Sequence, residues 1–230
     1  MVGATVDELI SLIENRQLGA GDTLPPTSEL AEQLDVSRTV VREAIAELAG
    51  QGLLIRRQGK DTEISFPDSD QFERLVRLRF ALGGAQYNQL QEFRVTIEIG
   101  AARLAAERAT SEDDVVLKKR LDVLSAVSDM NVVHEADQEF HREIARVARN
   151  DFILMSLEGI SPLLIELRKR AWQGWVESGR DFVELIDAHQ DILEAILARN
   201  PERAALAMGR HLDQALFGLH AAPTVSSQPV

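Results

Sequence analysis

The sequence predicts a mainly α fold in two parts: an N-terminal winged helix-turn-helix and a C-terminal all-α helical bundle. Three observations carry that expectation. Leu24-Pro25-Pro26-Thr27-Ser28-Glu29-Leu30-Ala31, followed by Val36-Ser37-Arg38-Thr39-Val40-Val41-Arg42-Glu43-Ala44-Ile45, reads as two short helices joined by a turn. Leu53-Leu54-Ile55-Arg56-Arg57, then Gln58-Gly59-Lys60-Asp61, then Thr62-Glu63-Ile64-Ser65 reads as strand, glycine-bearing turn and strand. From about Ser69 onward the pattern changes to long segments with a 3.6-residue apolar period.

In the first part, Ser37 is a good N-cap for the second helix, and Arg38, Thr39 and Arg42 fall within its first turn and a half. Val41, Ala44, Ile45 and Leu48 form one apolar stripe at i, i+3, i+4 and i+7, while the two arginines and the threonine lie on a flank turned roughly 120° away. The helix can therefore pack and present base-contacting side chains at once, which is the arrangement of a DNA-recognition helix. The hairpin reads as a wing whose tip, Arg57 to Lys60, lets the backbone approach a minor groove at Gly59.

Gly21-Asp22-Thr23-Leu24-Pro25, Glu29-Leu30-Ala31, Val36-Ser37-Arg38-Thr39 and Val41-Arg42-Glu43-Ala44 resemble the winged-helix domain of GntR-family bacterial transcription regulators, over roughly residues 6–66. The resemblance implies operator contacts by Arg38, Thr39 and Arg42 and minor-groove contacts by Gln58 and Gly59. It departs at Ser28, where the family often carries an arginine before the Glu-Leu pair.

Charge bounds the reading. The 230 residues carry a net charge of -12, which excludes a general nucleic-acid binder. Residues 1–66 hold six basic and eleven acidic residues, yet five of the six bases lie in residues 36–60, where the local net charge is +3. A small basic face on an acidic body implies few phosphate contacts and dependence on specific, paired contacts. The absence of cysteine excludes disulfides and thiolate metal sites. The sequence offers no secretory pattern and no apolar run long enough to span a membrane, so a cytoplasmic protein, nucleoid-associated when bound to DNA, is expected.

The second part begins after Phe66-Pro67-Asp68-Ser69, where proline breaks the strand and Asp or Ser can cap a helix. The expected division is a DNA-binding domain at 1–68, a helical effector-binding and dimerisation domain at 69–221 and a disordered tail at 222–230. Expected helices run over about 70–81, 87–108, 112–127, 132–148, 152–177, 181–198 and 201–220, with a kink or break at Pro162.

The histidines of this part are few: His134, His141, His189, His211 and His220. Asp137 and His141 are i, i+4 on one expected helix, and His189 and His211 lie on two later helices. One carboxylate and three imidazoles could thus converge as a ligand set for a divalent transition ion, zinc first, with nickel, manganese and iron as alternatives. By spacing alone His134, seven residues before His141, competes with Asp137, and the cluster could instead be a hydrogen-bonded polar network.

Asp137-Gln138-Glu139-Phe140-His141, His189 with Ile192-Leu193 and Ala195-Ile196, and Ala207-Met208 with His211-Leu212 resemble the FCD effector domain of the FadR-like GntR subgroup, over roughly residues 72–219. The resemblance implies one metal ion per chain on Asp137, His141, His189 and His211. It further implies a small organic acid as effector, operator DNA and a second copy of the chain as partners, and repression as the usual outcome. It also implies that Arg94 faces the effector cavity; the residues alone allow an ion pair to Glu98 at i+4 instead. Asn150 is read as the cap of the next helix, Trp172 and Trp175 as core or interface residues, and Arg168-Lys169-Arg170 as a solvated face or an auxiliary to DNA backbone. The alternative function is a metal-dependent enzyme of small organic acids with a regulatory winged helix, but no HExxH-type acid–base motif accompanies the ligands.

Overall fold

The computed structural model describes residues 2–56, 61–84, 86–127 and 130–222. The chain divides into two compact units, Met1–Gln71 and Phe72–Val230.

The first unit contains α1 (Val2–Asn15), α2 (Thr27–Gln33), α3 (Arg38–Gly50), β1 (Leu54–Ile55) and β2 (Glu63–Ile64). Its core forms where the apolar stripe of α3, Val41, Ala44, Ile45 and Leu48, meets Leu9 of α1 and Leu30 of α2. The Ser37 hydroxyl accepts the Val40 N–H at 3.3 Å, satisfying one of the unpaired donors at the start of α3. The helix-turn-helix reading began at Leu24, and α1 lies ahead of it. Its stripe of Val2, Val6, Leu9, Ile10 and Ile13 was present in the sequence and packs on this core.

The wing is shorter than expected. Among the described residues the strands pair Leu54 opposite Ile64 and Ile55 opposite Glu63, with the Ser65 N–H donating to the Leu53 carbonyl at 2.9 Å, and Leu54 and Ile64 face the core. The segment before α2 supplies a further edge: the Leu24 N–H donates to the Thr62 carbonyl at 2.9 Å and the Ile64 N–H to the Asp22 carbonyl at 2.7 Å. The expected wing tip, including Gln58 and Gly59, and the expected tail beyond Ala222 lie outside the described residues.

The second unit is helical: α4 (Ser69–Ala81), α5 (Tyr87–Arg108), α6 (Ser111–Ala126), α7 (Met130–Val147), α8 (Asp151–Glu177), α9 (Phe182–Leu197) and α10 (Pro201–Ala221). Side-chain caps fix the starts. Asn150 accepts from Phe152 and Ile153, Asp181 from Val183 and Asn200 from Arg203, with Pro201 in the first turn of α10. Asn150 thus acts as the cap the sequence suggested. The break expected at Pro162 does not occur, because Leu157, Ile160, Leu164 and Leu167 continue one buried face through it.

Alanines make the close helix approaches possible. Ala101, Ala102, Ala105 and Ala106 of α5 are buried against a core that includes Leu117 of α6, Phe140 and Ile144 of α7, Ile192 of α9 and Met208 of α10. Helices α8 and α10 approach still more closely at glycine. A Cβ on Gly174 would stand 2.0 Å from the Gly218 carbonyl oxygen, and one on Gly218 would stand 2.0 Å from that of Ala171. Among the described residues, no helix is long and apolar enough to cross a membrane.

Candidate functional site

In the first unit, Arg38, Thr39 and Arg42 are all exposed on α3, while the stripe behind them is buried. The face proposed for base contact is therefore solvent-accessible and carried on a helix rigidly held from the other side.

In the second unit, one ligand atom from each of Asp137, His141, His189 and His211 converges so that all lie within 4.8 Å of one another. Asp137 and His141 come from one face of α7, His189 from α9 and His211 from α10. The three histidines are buried, and Phe140 packs edge-on against His141 and His189, so the imidazoles are held by the core. His134 is also buried but lies in the wall of the adjoining cavity rather than in the converging set; His220 is exposed.

Hydrogen bonds orient the rings. His189 Nδ1 faces the Leu185 carbonyl at 2.6 Å, which requires the proton on Nδ1 and leaves a lone pair on Nε2 in the neutral ring. That Nε2 lies 2.9 Å from Asp137 Oδ1. Two acceptors at this separation repel unless the ring carries a second proton or a cation lies between them. His141 Nδ1 pairs with the Glu98 carboxylate, which turns its Nε2 toward His211 Nε2 at 3.2 Å. A carboxylate or carbonyl behind each of two imidazoles, with the Nε2 atoms facing inward, is how metal-ligating histidines are supported.

Two buried arginines complete the surroundings. Arg94 on α5 donates from Nε to Glu98 at 2.5 Å and contacts His141 Nε2 through Nη2 at 3.2 Å. Arg94 pairs with Glu98 and also lines the cavity. Arg168 on α8 pairs through Nε with Asp137 Oδ2 and is 6% exposed, so the expectation of a solvated Arg168 is corrected. Its position is explained by its neighbours on one helical face, Leu157, Ile160, Leu164, Ala171 and Trp175, all buried. Glu98, known from the sequence only as a possible partner of Arg94, also orients His141. Its signal was a charged pair inside the otherwise apolar stripe Leu90, Arg94, Glu98, Ala102 and Ala105.

These pairings set the protonation states. Burial alone would raise the Glu98 carboxyl, but the Arg94 guanidinium and the hydrogen bond from His141 bring it down to about 2. Burial opposes ionisation of Asp137 likewise, and the Arg168 guanidinium holds it well below the usual carboxylate range. Burial pushes His141 and His211 down, so both are neutral near pH 7, the form that donates a lone pair.

The cavity beside the cluster has a volume of about 60 Å³, several times what one water molecule requires. Arg94, Arg168, His134 and Gln214 give it polar walls, and Trp172, Trp175, Leu185 and Ile186 give it apolar ones. The tryptophans therefore face this space as well as the core. Trp175 is fixed there by an indole N–H bond to the Asp181 carbonyl at 3.0 Å.

Sequence comparison gives the class first. Residues 2–64 match the family described as bacterial regulatory proteins, gntR family, and residues 89–214 match the FCD domain. The chain is 31% identical over 203 residues to the HTH-type transcriptional regulator LutR of Bacillus subtilis (strain 168), covering 87% of this chain and 93% of that protein. It is 29% identical over 222 residues to the HTH-type transcriptional repressor NanR of Salmonella schwarzengrund (strain CVM19633), covering 94% and 82%. Among solved structures, Streptococcus agalactiae GntR superposes with a TM-score of 0.67 at 28% identity, covering 93% of this chain and 98% of that one. The chain belongs to the GntR family of bacterial transcriptional regulators, in the FadR-like group whose winged helix is followed by an FCD domain.

Proposed function

We propose that the chain is a homodimeric, effector-controlled regulator, most simply a repressor, that reads operator DNA in the bacterial cytoplasm and senses a small carboxylate at a metal centre. The convergence of Asp137, His141, His189 and His211 carries the reading. Three nitrogens and one oxygen suit zinc, with nickel, manganese and iron as alternatives, and the acceptor facing acceptor between His189 and Asp137 is relieved by a cation. A bound divalent ion supplies Lewis-acidic positions that attract a carboxylate.

The chain's own residues do the rest. Glu98 and the Leu185 carbonyl hold His141 and His189 in the ligating tautomer, and Arg94 provides a guanidinium beside the cluster for a ligand carboxylate. In the other unit, Arg38, Thr39 and Arg42 read bases in the major groove, and the wing-tip Gln58 and Gly59 reach the minor groove. Two-fold pairing of chains implies a palindromic operator. Control by the acid requires that it bind two dimer arrangements with different affinity, since equal affinity shifts nothing.

Elemental analysis and native mass spectrometry of the purified chain test the centre. About one transition ion per chain is expected, together with a small acid, and both are lost in His189→Ala while the helical circular dichroism is kept. A wild-type chain that holds no metal and takes up neither zinc nor manganese contradicts the proposal. In parallel, Arg38→Ala is expected to weaken duplex binding about 10- to 100-fold without lowering the melting temperature.

A further inference from the structure

Beside the ligand cluster, the cavity wall holds a guanidinium whose donors are only partly used. Arg168 is 6% exposed, its Nε pairs with Asp137, and its Nη1 and Nη2 have no hydrogen-bond partner among the described residues. Buried donors of a charged group left without acceptors are costly. Arg94 differs in that its Nε is taken by Glu98, while its Nη2 faces His141 Nε2 beside the ligand cluster. Held at one edge by Asp137, Arg168 is a preorganised fork that offers its remaining N–H groups to the cavity it lines.

Charge sharpens the chemistry. The guanidiniums of Arg94 and Arg168 balance the carboxylates of Glu98 and Asp137 inside this buried set. A divalent ion on the four ligands therefore leaves two positive charges in a site walled otherwise by histidine, glutamine and apolar side chains. A monocarboxylate neutralises one of them. A dicarboxylate neutralises both, with one group at the metal centre and Arg94 and the other on the Arg168 fork, and a short chain suffices between them because both guanidiniums adjoin the same ligand cluster.

We propose that the effector is a short dicarboxylate and that Arg168 is the residue that selects for its second carboxylate. This rests on the reading of the centre as a metal and acid site. Isothermal titration calorimetry on the zinc-loaded full chain tests it with succinate against butyrate, which has the same carbon chain and one charge fewer. Wild type is expected to bind succinate at least about tenfold more tightly, and zinc-loaded Arg168→Gln, its zinc content measured alongside, to bind the two acids alike. Arg168→Lys, which keeps the charge without the fork, is expected to retain part of the preference and covers the case in which Arg168→Gln does not fold. Equal binding of the two acids by wild type, or a succinate preference that survives Arg168→Gln, overturns the role of Arg168 while leaving the metal and acid site standing. Wild type that takes up zinc but binds neither acid overturns both.

Discussion

His189 shows how a single side chain carries the chemistry of the centre: its Nδ1 is committed to a carbonyl, so its Nε2 must meet Asp137 as a lone pair, as an imidazolium or through a cation. The lowered His141 and His211 make the third state favourable near neutrality. Because burial lowers His141 and His211, protons should compete with the ion at these two ligands only below the ordinary imidazole range. Zinc release measured against pH checks this, and release beginning above pH of about 6.5 would contradict it. A second residue gives a stability prediction. Asp113 caps Thr110 at 2.9 Å and receives Arg146 at 2.8 Å and Arg149 at 2.7 Å. Burial opposes its ionisation, but these bonds bring it from 3.8 down to about 2. A lowered carboxyl stabilises above its unfolded pKa and loses that contribution as pH falls through its folded one. Asp113→Asn should therefore cost about 2 kcal/mol at pH 7, or about 4–8 °C in melting temperature. The gap from wild type should shrink between pH 3.8 and about 2. At this scale the convergence of Asp137, His141, His189 and His211 was legible because Asp137 and His141 share a helical face and histidine is rare, with the family resemblance choosing Asp137 over His134. Arg168 was not, since its position in a run of basic residues concealed that it alone falls on the buried stripe of α8.

Among the elements, α8 and α10 are the most tightly constrained pair, because Gly174 and Gly218 bring backbone against backbone beside the cavity. An added methyl cannot be absorbed by rotating a side chain when the obstacle is a carbonyl oxygen 2.0 Å away. Gly174→Ala should therefore force the helices apart and lower the melting temperature strongly. Gly100→Ala, where nothing lies within 4 Å, should stabilise α5 by up to about 1 kcal/mol through helix propensity alone. Thermal melts of the two variants, moving in opposite directions, check the assignment; equal small effects would show that the α8–α10 approach is looser than described. The helices were legible nearly to the residue because Asn150, Asp181 and Asn200 mark their starts and the apolar period runs unbroken between them. The short pairing of the described wing residues and the continuity of α8 through Pro162 have one reason. Local propensity favoured longer strands and a break, while burial of Leu54 and Ile64, and of the α8 face on both sides of Pro162, decided the outcome.

The face proposed to read DNA and the cluster proposed to sense the effector each lie in a separate unit. With only five basic residues in positions 36–60 and a chain charge of -12, DNA affinity should fall with salt along a shallow slope, reflecting few phosphates per chain. The fold class and the family were legible because both units carry dense local motifs. The effector was not, because its recognition depends on side chains from α5, α7, α8, α9 and α10 that only the tertiary fold assembles. The division of labour is tested most directly by fluorescence anisotropy on duplex DNA selected from a random pool by the wild-type chain. Wild type, Arg38→Ala and His189→Ala would each be incubated with zinc and titrated with and without a panel of small carboxylates. The account predicts that Arg38→Ala binds weakly throughout, whereas His189→Ala binds as wild type does but no longer responds to any acid. Two variants that behave alike, or a His189→Ala chain that keeps the full response, would contradict it.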